Sequence, residues 1–337
     1  MKFCTIRDEY DWGAEIFKLA DLGYRDSLVR EGWLAGNAIS EIMDMYVDRV
    51  VGEKVFEFWG RQFPVCVRQL EVRGKMALRV NPDDETAAQR WDFLGKEKIW
   101  YVLRCGKGAG ISLGFIKDTD AGEVFAKCAD GTVGDIINHV APHQGQFFHI
   151  PSGTPHAAEG DIDILEIGES SPLDFCMCNW GKEVSELEFD PSLSFEDSLD
   201  FIRYSRYKDD LPLEKEENLT RKIISISQFR ICRIRLESPL QIRNGDSGSF
   251  ILYSCVSGEA SVQTEIDGKE SLYNIKAGET MLVPDDCQEF FLLPIAKDTV
   301  LLETTIAERT VDDPYINPEA EPALPEDNTI PGTGFSL

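Results

Sequence analysis

The sequence predicts a mainly β protein made of two barrels of similar design, with a helical N-terminal region and helical insertions. Three observations carry that expectation. Short runs rich in Val, Leu and aromatic residues, bounded by Gly, Pro and Asp, recur along the 337 residues, which is the pattern of strands separated by turns. Apolar residues at i, i+3 and i+4, the mark of an amphipathic helix, are confined to a few stretches. The order strand, glycine, strand, proline turn also occurs twice: "QGQFFHIPSG" at 144–153 has a counterpart in "AGETMLVPDD" at 277–286.

Residues 14–60 are expected to be mainly helical. In "NAISEIMDMYVDRVVG" the apolar Ile39, Ile42, Met43, Tyr46 and Val50 keep the helical rhythm. Strands are expected in "FPVCVRQLEV" (63–72), "MALRV" (76–80) and "KIWYVLRC" (98–105). A helical insertion around 120–140 interrupts them, and strands resume at "QFFHIP", "IDILEIG" and "DFCMCNW". Residues 1–180 are thus expected to hold the helical segment and the first barrel. Residues 181–220 read as a charged, proline-broken connector. It contains a short helix in "SFEDSLDFIRYSRY" (194–207), opened by a capping box from Ser194 to Asp197. A second all-β block spans 221–308, and 309–337 reads as an extended, acidic tail interrupted by prolines.

A net charge of −26 argues against nucleic acid, whose phosphates are bound by clustered Lys and Arg, and against an anionic membrane surface. It leaves room for a small anionic ligand in a local basic pocket. The start, "MKFCTIRDEYDWG", has no apolar core, so no signal peptide is expected. No run approaches the ~18 apolar residues of a spanning helix. The nine cysteines are scattered without a CxxC and read as reduced thiols in a cytoplasmic protein.

All four histidines, at 139, 143, 149 and 156, fall within one short stretch. His139 and His143 read as a solvated helix end and loop. His149 lies in a strand between Phe148 and Ile150. His156 follows a Pro–x–Gly turn and opens the next strand, the place a metal-binding barrel reserves for its last ligand.

The chain resembles the class I phosphomannose isomerases, of the cupin superfamily. The resemblance rests on "DWGAEIFKLA", "FPVCVRQLEVRGKMALRVNPDDE" (63–85), "GKEKIWYVL" (95–103), "FFHIPSGTPHA" and "EIGESSPLDFCMCNWGK" (166–182), in order and spacing. It implies two cupin-type jelly-roll barrels and a zinc enzyme that interconverts mannose 6-phosphate and fructose 6-phosphate. In the family, a glutamine, two histidines and a glutamate hold the metal. Here the glutamine falls on Arg79, the first histidine on Asn81 and the glutamate on Lys98, so His156 alone is kept. The family's catalytic arginine falls on Cys176, while Lys96 and the run Pro82, Asp83 and Asp84 are kept.

Arginine and a protonated lysine have no lone pair to offer a metal, and zinc at a catalytic site takes at least three protein ligands. No zinc is therefore expected unless the family chemistry survives. If the family geometry holds, Arg79 and Lys98 point into the barrel in place of the dication. With Asn81, Lys96, His149 and His156 they could bind a carbohydrate or sugar phosphate. Equally open, they could pair with Asp83, Asp84 or Glu97 and only stabilise the fold. Three functions remain open at this point: a metal-free carbohydrate-binding cupin, an aldose–ketose isomerase in which His156 and Lys98 move the proton, and a structural or regulatory barrel.

Overall fold

The computed structural model describes residues 1–208, 221–244, 248–266 and 268–306. Eleven strands and five α-helices make up the first two-thirds of the chain. In order they are β1 (Ile6–Tyr10), β2 (Gly13–Leu19), α1 (Ile39–Val51), α2 (Glu53–Trp59), β3 (Val65–Val72), β4 (Leu78–Val80), α3 (Asp84–Trp91), β5 (Lys98–Cys105), β6 (Gly110–Phe115), α4 (Ala121–Ala129), β7 (Ile137–Val140), β8 (Phe147–Ile150), β9 (His156–Glu159), β10 (Ile162–Glu169), β11 (Phe175–Cys178) and α5 (Phe195–Ser198). A six-stranded sheet runs β1-β2-β3-β10-β5-β8, and a five-stranded sheet runs β11-β4-β9-β6-β7. Their strand pairings are antiparallel.

Alternation along the strands decides what faces where. In β5, Trp100 and Val102 join a core shared with the second sheet, while Ile99 and Tyr101 join another core on the outer face. That outer core is completed by Ile42 and Met43 of α1, Val55 and Trp59 of α2, and Phe229, Ile231, Phe250 and Leu252 from the later part of the chain. There the chain repeats the plan. One sheet orders Arg221–Ser225, Phe229–Arg235, Val300–Ile306, Ile251–Ser257 and Thr280–Val283. The other orders Leu240–Arg243, Glu289–Pro294, Glu259–Ile266 and Lys269–Lys276. The mainly β, cupin-type architecture agrees with the sequence reading. No helix among the described residues is long and apolar enough to cross a membrane.

The helical expectation for 14–60 is corrected in its first half. Residues 13–19 form β2, paired with β1 and β3, and helix begins only at Ile39. Ala14, Glu15, Ile16 and Phe17 are consecutively buried. A strand covered on both faces shows no alternation to distinguish it from helix. The 120–140 insertion is helical in α4, but His139 belongs to β7 and is exposed. The helix after Ser194 is one turn long, with the Ser194 hydroxyl accepting from the Asp197 N–H as its capping pattern predicts. Part of the connector (209–220) and the whole tail (309–337) lie outside the described residues.

The turn before His156 depends on Gly153. Its φ is +78°, and a Cβ there would come 2.4 Å from the Phe201 carbonyl oxygen, which accounts for the glycine. Gly153→Ala is expected to cost about 1–3 kcal/mol, read as a fall in Tm. An unchanged Tm would show that the turn relaxes freely.

Candidate functional site

The interior of the first barrel holds charge. Cross-strand register places Arg68 of β3 beside Glu166 of β10, Glu166 beside Trp100 of β5, and Glu15 of β2 beside Leu70. On the facing sheet Arg79 of β4 pairs with His156 of β9 and with Cys176 of β11. Partners directly across an antiparallel ladder share a face, so these side chains converge.

Their contacts close on one another. Arg68 donates to Glu166 (2.6 Å), to Glu15 (2.9 Å) and to Asp174 (3.4 Å). Arg79 bridges the sheets, donating to Glu15 at 2.8 Å and to Glu188 at 2.6 Å. Its guanidinium also lies 5.0 Å from the Phe189 ring centre and 5.6 Å from that of Trp12. Lys96 donates to Asp174 (2.7 Å), and Trp100 Nε1 donates to the second oxygen of Glu166 (2.6 Å). Lys98, fully buried, stands 3.7 Å from both Glu166 and Asp174. Four cations thus face four carboxylates, Glu15, Glu166, Asp174 and Glu188, and the formal charges cancel.

Three polar atoms of this cluster are buried without a hydrogen-bond partner: Lys98 Nζ, Asn81 Oδ1 and Arg79 Nε. The amide nitrogen of Asn81 is engaged, donating to the Leu173 carbonyl and to Asp174, both at 2.7 Å. His156 Nδ1 lies 2.9 Å from the Thr154 carbonyl. A carbonyl only accepts, so Nδ1 carries the proton and Nε2 keeps its lone pair. The ring packs edge-on to Trp100.

Burial dominates the protonation of the two central bases. It lowers Lys98 from 10.5 to about 8, against the pull of Glu166 and Asp174. It pushes His156 well below its usual value, and the Lys98 ammonium adds to the effect. Burial works against ionisation of Glu166 and Asp174 as well, but their cations overcome it and hold both below the usual carboxylate range.

Above the cluster lies a cleft of about 360 Å3, walled by Tyr10, Trp12, Lys75, Asn179, Lys182 and Glu188 among others. Tyr10 and Trp12 stack at 5.4 Å. One oxygen of Glu188 accepts from both Trp12 Nε1 (2.8 Å) and Arg79, so Glu188 stands between the cleft and the interior.

No family model matches the chain. The mannose-6-phosphate isomerase ManA of Bacillus subtilis (strain 168) is 26% identical over 312 residues, covering 86% of this chain and 94% of the relative. The mannose-6-phosphate isomerase of Streptococcus mutans is 22% identical over 225 residues, covering 66% and 69%. In fold, the crystal structure of the mannose 6-phosphate isomerase from Bacillus subtilis matches with a TM-score of 0.75 at 18% identity, over 90% of this chain and 98% of that one. The chain is similar in sequence to mannose-6-phosphate isomerases and shares the fold of their solved structures. A putative mannosephosphate isomerase from Archaeoglobus fulgidus shares the fold at a TM-score of 0.72 and 17% identity, over 91% and 99% of the two chains.

Of the residues singled out in this mannose-6-phosphate isomerase relative by sequence, the structure brings together Arg79, Asn81, Lys96, Lys98 and His156. His149 is not among them. It pairs across with Ile99, on the outer face of the sheet, and meets Glu97 there. Asp83, Asp84 and Glu97, the acids expected as alternative partners, are engaged elsewhere. Asp83 caps α3, Asp84 accepts from the Gly95 N–H, and Glu97 holds His149. The partners of Arg79 and Lys98 are instead Glu15, Glu188, Glu166 and Asp174, which the sequence reading did not name. Arg68, Trp100 and the cleft residues Trp12 and Lys75 were also missed.

Proposed function

We propose that this chain is a zinc-free member of the family that binds a sugar or sugar phosphate at the mouth of its first barrel. The carrying observation is that a guanidinium and an ammonium, Arg79 and Lys98, stand beside His156 and are already matched by buried carboxylates. Zinc needs lone pairs from N, S or carboxylate oxygen, and a guanidinium or an ammonium offers none. No group of three His, Cys, Asp or Glu side chains among the described residues is arranged to hold a metal ion. The donor set does not fit zinc. With the interior neutralised, the cleft is the place left for a ligand: stacked aromatics stand there with Lys75, which also pairs with Glu159 at 3.1 Å, and Lys182, beside the acids Glu9, Asp11, Glu183 and Glu188. Aromatic rings suit the apolar face of a sugar and ammonium groups suit a phosphate.

Calorimetry against mannose 6-phosphate, fructose 6-phosphate, mannose and inorganic phosphate tests this reading, together with elemental analysis of the untagged protein. Sugar phosphate is expected to bind, and Lys75→Ala or Lys182→Ala is expected to weaken it about tenfold, or ~1.4 kcal/mol. Stoichiometric zinc that is lost in His156→Ala, or no binding of any of the four compounds at millimolar concentration, would sink it.

One observation favours catalysis as a second reading. His156 and Lys98 are both shifted towards their neutral, basic forms, which suits proton transfer next to a carbonyl. Turnover of mannose 6-phosphate that survives a chelator and is abolished in His156→Gln would support it. Against it stands the near-complete burial of both side chains.

A further inference from the structure

Of the four carboxylates that balance the barrel's cations, one differs in origin. Glu15 lies on β2, Glu166 on β10 and Asp174 immediately before β11, whereas Glu188 comes from a strap that leaves β11 and lines the cleft. Residues 181–187 of this strap are consecutively exposed. The chain turns inward at Glu188, whose side chain is 6% exposed, and at Phe189, which is buried with Ala77 and Cys176. Among the described residues, the strap's backbone hydrogen bonds stay within 179–189. The Lys182 N–H donates to the Asn179 carbonyl, the Asn179 amide donates to the Glu183 carbonyl, and the Glu188 and Phe189 N–H groups share the Ser185 carbonyl. Lifting the strap therefore breaks no backbone bond to the barrel. Trp180 and Gly181, at φ +52° and +82°, make the sharp turn that starts it.

The Glu188 carboxylate ties the strap to the interior through one oxygen, which accepts from Arg79 Nη2 at 2.6 Å and from Trp12 Nε1 at 2.8 Å. Nη2 shares one edge of the guanidinium with Nε, and Nε is buried without a partner. Half of that edge is thus unused. A phosphate group offers two oxygens at once and fills both positions of the fork. The charge count also calls for a replacement. Without Glu188, Arg68, Arg79, Lys96 and Lys98 would face three carboxylates, and a buried cation left uncompensated is costly.

We propose that Glu188 is an exchangeable plug: when the strap lifts, the phosphate group of a sugar phosphate takes its place on the Nε–Nη2 edge of Arg79. One anion is exchanged for another, and Arg79 stays anchored to Glu15 through Nη1 at 2.8 Å. The plug makes entry selective. A neutral sugar cannot compensate the guanidinium it would uncover, so it remains in the cleft with Glu188 in place. The inference rests on the reading that the mouth of the first barrel takes a sugar phosphate.

Calorimetric titration of inorganic phosphate into the full chain and into Glu188→Gln tests the plug. Glutamine keeps an oxygen that can accept from Arg79 and Trp12 but carries no charge. Phosphate is expected to bind Glu188→Gln about tenfold more tightly than the parent and to raise the Tm of the variant by mass action. Adding Arg79→Met to Glu188→Gln leaves three cations against three carboxylates. This double variant should regain stability without phosphate and lose the gain in affinity. The unaltered chain supplies a measurement that does not depend on the variants folding: amide hydrogen exchange in 183–189 should quicken with saturating mannose 6-phosphate and stay the same with mannose. Equal phosphate affinity in parent and Glu188→Gln, a gain that survives Arg79→Met, or exchange in 183–189 that does not quicken with mannose 6-phosphate bound would overturn the proposal. A parent that binds no sugar phosphate, beside a Glu188→Gln variant that gains phosphate through Arg79, would support the plug and sink the reading of the cleft.

Discussion

Replacing Arg68 with methionine is expected to lower the unfolding free energy by about 3–5 kcal/mol, the cost of breaking a buried ion pair by removing one partner. The side chain is 3% exposed and its guanidinium touches three carboxylates, Glu166, Glu15 and Asp174. Methionine fills much of the same space, so the loss is mainly electrostatic. The interior would then hold Arg79, Lys96 and Lys98 against four carboxylates, three cations against four largely buried anions.

The pH dependence distinguishes this cause from a packing defect. In the parent, Glu166 and Asp174 lie below their usual value because Arg68, Lys96 and Lys98 outweigh burial. A carboxylate depressed in the folded state adds stability above its unfolded pKa of about 4, and that stability is lost as pH falls through the folded value. Without Arg68 the depression shrinks, and with it this contribution. The gap between parent and variant should therefore be widest near pH 7 and narrow as pH falls below about 4. Urea midpoints at a series of pH values measure it. A gap under ~1 kcal/mol at pH 7, or one that does not vary with pH, would show that the cluster tolerates an unpaired acid.

How much of this cluster is legible in the sequence depends on which segment each member comes from. His156 is announced by its turn, and Arg79, Asn81 and Lys98 by their place in motifs that keep order and spacing. The four carboxylates come from β2, β10, the turn before β11 and the segment after it, and no spacing rule joins four such distant positions. A signal did exist for Arg68 and Glu166. In "VCVRQLEV" and "IDILEIGE" each is a charge whose neighbours two residues away on the same face, Cys66 and Leu70 or Ile164 and Gly168, are buried and uncharged, and a charge at a buried strand position must find a partner. The same logic explains the misread β2. Glu15 is buried there with apolar neighbours on both sides, and a fully covered strand looks like a helix to any test that relies on alternation. The barrel itself was legible because most of its strands keep one face in each core.

Lys98→Met is expected to do the opposite of Arg68→Met, although both remove a cation from the same interior. Arg68 makes three hydrogen bonds, whereas Lys98 Nζ makes none and only approaches Glu166 and Asp174 to 3.7 Å. Both acids keep nearer donors: Asp174 has Lys96 at 2.7 Å, and Glu166 has Arg68 and Trp100, each at 2.6 Å. The fall of Lys98 from 10.5 to about 8 means that its ammonium is less favourable folded than unfolded. The difference corresponds to roughly 3 kcal/mol as an upper figure at neutral pH. Between about pH 8 and 10.5 the unfolded chain binds the extra proton, so the parent gains stability as pH rises through that window and carries the full penalty below it. Methionine removes the titrating group. The variant should be the more stable protein at pH 7, and its advantage should shrink steadily towards pH 10. Paired denaturation curves at pH 7, 8, 9 and 10 decide the matter, because other titrating groups cancel in the difference. A variant less stable than the parent at pH 7 would show that the ammonium's attraction for Glu166 and Asp174 exceeds the cost of burying it. Lys98 would then belong with Arg68 among the residues that hold the interior together.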